Sequence, residues 1–89
     1  MSAEATTNLN SHEIRGLVAD GLSRFEAAES LEEQLTAAAG LLSACQTLVE
    51  RVDVDQNDSN TLGRFQRLLY ERNISLNEVE AFRQIISGR

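Results

Sequence analysis

The chain has 89 residues, 42% of them hydrophobic and 25% charged, with a formal net charge of −6. That length admits one domain with a limited core, and the composition is that of a folded chain rather than a disordered one. The negative charge disfavours phosphate backbones and anionic membrane surfaces as partners, while one cysteine and one histidine supply neither a disulfide framework nor a zinc site.

Compartment follows from the same inventory. A single cysteine, Cys45, points to a reducing environment. The opening residues carry no basic cluster or apolar run of the kind that makes a signal peptide. No stretch approaches the roughly 18 apolar residues of a membrane span. We therefore expect a cytoplasmic protein, and we read no cofactor or metal site.

Residues 1–9 are small and polar and are expected to form a mobile arm. The first helix opens at Asn10, where Asn10 and Glu13 fit a capping box and Leu9 with Ile14 a hydrophobic staple. Its expected apolar stripe is Ile14, Leu17, Val18, Leu22, Phe25 and Ala28. Gly16 and Gly21 interrupt it at about 1 kcal/mol each relative to alanine, so the helix depends on packing. Gly21 offers a neighbouring helix a close approach.

The second helix starts at Ser30, with Glu33 completing its capping box, and runs to about Val52. Leu31, Leu35, Ala38, Leu42, Cys45, Val49 and Val52 step by four and three, the a/d spacing of a seam. Leu41 and Leu48 widen it, which predicts a central helix covered by several neighbours. The small residues Ala37, Ala38, Ala39 and Gly40 suit a close helix crossing.

Residues 53–60 hold Asp, Asn and Ser almost throughout and are expected to form a loop. Asp58 or Ser59 then caps a third helix that runs to about Arg72 on Leu62, Phe65, Leu68 and Leu69. Asn73 suits the left-handed position after its end. The fourth helix begins at Ser75, boxed by Glu78 and stapled by Ile74 and Val79. Leu76, Val79, Phe82, Ile85 and Ile86 are its expected inner face. Residues 10–89 thus read as one all-α domain, a compact helical bundle of about four helices, three long and one short, wrapped around the second.

Three motifs touch on chemistry. Asp53, Asp55, Asn57 and Ser59 follow the opening of a calcium loop, but Asp58 replaces its glycine and Arg64 stands where a bidentate glutamate belongs. The pair Asp58-Ser59 before a helix resembles the attachment motif of acyl and peptidyl carrier proteins. That likeness implies phosphopantetheine on Ser59; Asn60 stands where the carrier motif has leucine. Residues 62–82 resemble the first two helices of a repressor-type helix-turn-helix, which implies DNA binding through a recognition helix that this stretch does not include. Cap and turn chemistry accounts for the same residues in the first two cases, and an ordinary helical hairpin accounts for the third. His12 has no nucleophile placed by sequence to pair with it, and Cys45 reads as a small buried hydrophobe.

Charge is unevenly spread. Residues 1–61 hold eleven acids and three arginines, a balance of −8, whereas residues 62–89 hold three acids and five arginines, a balance of +2. On the third helix Arg64, Arg67, Tyr70 and Glu71 form the candidate partner-binding face, since tyrosine and arginine are enriched at binding hot spots. The expected function is that of a non-enzymatic protein-binding module, a regulator or inhibitor of adaptor, antitoxin-like or phage-type kind. It would occupy a surface on another protein, and its net negative charge makes a basic surface a suitable partner. The long seam also admits a homodimer.

Overall fold

Four capping boxes start four helices. In the computed structural model, which describes residues 10–88, these are α1 (Ser11–Ala27), α2 (Leu31–Arg51), α3 (Gln56–Glu71) and α4 (Leu76–Ser87). Asn10, Ser30, Asp55 and Ser75 are the caps. Each side chain accepts the N–H of the residue three ahead, and that residue's carboxylate accepts the N–H of the cap. Such reciprocal bonds satisfy two donors that every helix start leaves over. The architecture is all-α, with no strand among the described residues. The expected arm, residues 1–9, and Leu9 of the first staple lie outside the described residues.

The third box corrects the expected boundary. Asp55, not Asp58 or Ser59, caps α3, and Asp58 is its partner at the third helical position. The expected loop over 53–60 therefore shrinks to a short link, with residues 56–60 already helical. Aspartate three places into a helix accepts an N–H as glutamate does and also meets the positive end of the dipole. An Asp-x-x-Asp box thus absorbs a polar run that otherwise reads as a turn.

Helix ends are equally specific. α1 stops at Ala28 and α2 is capped two residues later, so the chain turns straight back as a helical hairpin. α3 ends with Asn73 at φ 57°. The Ile74 N–H donates to Leu69 O at 2.9 Å and the Asn73 N–H to Tyr70 O at 3.1 Å. That is the paired bonding of a Schellman end, and the two residues that usually pair there, Ile74 and Leu69, both belong to the buried core.

The core joins Ile14, Val18, Leu22 and Phe25 of α1 to Ala38, Leu41, Leu42, Cys45 and Leu48 of α2, with Phe65, Leu69, Ile74 and Val79 closing it. α2 packs against α1 and α4, while α3 lies on α1. The Phe25 and Phe65 rings meet edge to face at 5.9 Å. The Arg72 guanidinium sits 5.0 Å over the Phe25 ring and donates to Phe25 O and Glu26 O, carbonyls of the last turn of α1, where a helix leaves acceptor capacity over; Phe25 O also accepts the Ala28 N–H at 3.3 Å.

Several expected core residues are not in the core. Leu31 and Val49 are 61% and 58% exposed, whereas Leu41 and Leu48 are buried. The expected seam thus keeps Ala38, Leu42 and Cys45 buried, with Leu41 and Leu48 beside them, and loses Leu31 and Val49 to solvent. Neighbours cover only part of α2, so it is central without being enclosed. Leu17 of α1 and Leu76, Ile85 and Ile86 of α4 are also exposed. On α4 only Val79 is fully buried, with Phe82 packed beside it.

Candidate functional site

The α1–α2 hairpin is close-packed at one glycine and open at another. A Cβ on Gly21 would stand 3.3 Å from Leu41 Cβ, so the absence of a side chain there lets the two helices meet, as the sequence suggests. A Cβ on Gly40 would meet nothing within 4 Å. The small run splits accordingly: Ala38 and Ala39 are buried, while Gly40 is exposed. No helix among the described residues crosses the Gly40 side.

That open side is a trough of about 840 Å³ running along the hairpin. Leu17, Gly21, Ala37, Gly40 and Ala44 lie along it. Its charged members are Asp20, Glu32, Glu33 and Arg24, three acids against one base. Arg24 pairs with Asp20 at 3.1 Å. Glu33 accepts the backbone N–H groups of Ser30 and Glu29, which hold its carboxyl below the usual range and keep it ionised at neutral pH. Glu32 and Glu33 both lie in the first turn of α2, at the end of the trough nearest the hairpin turn. The lining is therefore mostly small and apolar, with Thr36, Ser43, Thr47 and the Asp20–Arg24 pair along it and the acids Glu32 and Glu33 at one end.

The described residues hold one buried charged side chain, Asp58, and it is saturated. Arg15 Nε donates to Oδ1 at 2.9 Å and Nη2 to Oδ2 at 2.7 Å, a two-pronged grip, and the Asp55 N–H adds a bond at 3.1 Å. These bonds, the Arg15 pair first, pull the carboxyl below its ordinary value. The same guanidinium lies 3.6 Å from Asp55. Two of the acids in the run that resembles the opening of a calcium loop thus already face a protein cation, and the run from Gln56 on is the first turn of a helix. Nothing local marks this pair in the sequence, because Arg15 and Asp58 are 43 residues apart.

The four residues of the expected α3 face do not all stay together. Arg67, Tyr70 and Glu71 are exposed neighbours at helical spacing, Tyr70 at 84%. Arg64 turns to α1 and pairs with Glu26. Among the described residues no ion pair joins Arg67 to Glu71. Ser59 lies exposed in the first turn of α3, and His12 is exposed near the start of α1. Burial pushes the Cys45 thiol up to about 11, so it stays neutral and packs as a hydrophobe. Because α3 rests on α1 and α4 on α2, the two do not pack chiefly on one another as a helix-turn-helix pair does.

No helix of the described residues is long and apolar enough to cross a membrane. Comparison with protein-family models, with curated proteins and with solved structures gives no match to this chain.

Proposed function

We propose that the chain is a non-enzymatic protein-binding module, and that its binding site is the trough between α1 and α2. One observation carries this reading: a small-residue helix face, Ala37, Gly40 and Ala44, lines an open trough and is crossed by no helix of the described chain. Small side chains at helical spacing let a second backbone come near, and an amphipathic helix laid in an apolar groove is a common mode of recognition. The exposed Leu17 beside it adds an anchor point. The polar groups support no reaction centre: the buried carboxylate is fully bonded and the charged groups along the trough sit in solvent. Adaptor, antitoxin-like and inhibitor roles all fit such a module, and the neutral Cys45 thiol suits a reducing, cytoplasmic setting.

The test compares two faces of one fold. Gly40→Leu puts a side chain into the trough at a position where a Cβ meets nothing within 4 Å, whereas Arg67→Ala with Tyr70→Ala strips the α3 face. Partners held by the natural chain should be lost with the first variant and kept with the second. The reverse result moves the site to α3, and retention by both variants sinks the reading.

A further inference from the structure

We infer that the occupant of the trough is a basic amphipathic helix of a different protein, with its cations gathered at the end that overlies Glu32 and Glu33. The inference rests on the trough being the docking site, and it names the partner's chemistry. Three observations select it.

The first is shape. The trough follows α1 from Ile14 to Ala28, about 21 Å at 1.5 Å per residue, the length of a four-turn helix. Its Gly40 and Ala44 side gives such a helix room to lie close, so its contact face needs only a narrow row of alanine- and leucine-sized groups.

The second is charge. The lining holds Asp20, Glu32 and Glu33 against Arg24 alone, and Arg24 is already engaged by Asp20. That leaves Glu32 and Glu33 as the charges lining the hairpin end, Glu33 through the negative charge it keeps while its Oε1 accepts the Ser30 and Glu29 N–H groups. Arginine or lysine on the occupant's flanks would meet these acids, whereas acidic flanks would be repelled.

The third decides against a second copy of this chain. Each copy carries −6, and a two-fold contact sets the same patch against itself. Trough on trough would bring the Glu32 and Glu33 carboxylates of both copies into one interface with no new cation to answer them.

The experiment uses the full chain and three synthetic 18-residue helical peptides. They share one Ala/Leu face and carry Arg, Gln or Glu on the flanks. Amide chemical-shift mapping and anisotropy are recorded at low and high salt. The Arg peptide should bind and shift the resonances of Leu17, Gly21, Gly40 and Ala44. Its affinity should fall about tenfold in a Glu32→Gln, Glu33→Gln variant, which keeps the capping box because glutamine also serves there. It should fall again with salt, and Gly40→Leu should abolish it. Equal binding of all three peptides in the trough overturns the basic partner and leaves the docking site standing. Shifts confined to other surfaces, or none at all, overturn the inference, and the variant capture above then judges the docking site separately. Trough shifts that grow with protein concentration and without peptide overturn it in favour of self-association.

Discussion

At the scale of single residues, the Arg15–Asp58 pair and the glycines make the sharpest demands. Asp58 is 5% exposed, and a buried carboxylate is tolerable only when its oxygens are bonded. Its folded pKa is depressed, so its contribution to stability is complete above the ordinary carboxylate value of about 4. That contribution is lost as pH falls through the lower, folded value. The melting temperature of Asp58→Asn should therefore lie below that of the natural chain at pH 7, and the gap should narrow under acid. A gap that stays constant with pH would deny the carboxylate its role. The glycines give a second contrast. Gly40→Ala meets nothing within 4 Å and should stabilise by about 0.5–1 kcal/mol through helix propensity. Gly21→Ala would press Leu41 at 3.3 Å and should forfeit that gain. Thermal melting separates the two.

At the scale of elements, the ends were legible and the buried faces only in part. Asn10, Ser30 and Ser75 each stand three residues before a glutamate, a local signature that survives any tertiary context. Asp55 was missed because its partner is Asp58 and its neighbours Asn57, Ser59 and Asn60 all read as turn formers. Asn73 was legible because few residues accept its left-handed backbone. The α2 stripe was misjudged by one edge. Leu31 and Val49 match a heptad as well as Leu48 does, and only the placement of α1 and α4 decides which of them meets water. The contrast is measurable. Leu48→Ala removes a fully buried side chain and should lower unfolding free energy by about 2–5 kcal/mol. Val49→Ala, at 58% exposure, should change it by less than about 0.5 kcal/mol. Equal losses would return Val49 to the buried face.

At the scale of the molecule, the helices form a flattened body of 36 × 35 × 21 Å, its short axis roughly two helix diameters. α3 and α4 cover one side of the α1–α2 hairpin, and the other side is the trough. Phe25 holds this arrangement together. It is completely buried, its ring meets Phe65, and Arg72 stacks on it while bonding the carbonyls at the end of α1. Phe25→Ala should cost about 3–5 kcal/mol, against a total of about 5–15 kcal/mol for a domain. Urea denaturation should show a sharply lowered midpoint. A midpoint within error of the natural chain would show that α3 docks by other means.

The sequence alone determined where three of the four helices begin, how α3 ends and that no strand competes, because those choices depend on residues three to five apart. Tertiary structure decided which leucines are buried, that Arg15 answers Asp58 across 43 residues, and that Gly21 is filled by a neighbour while Gly40 is left bare. A helix carries its apolar groups wherever its period puts them; which side meets protein and which meets solvent is fixed only when other helices arrive.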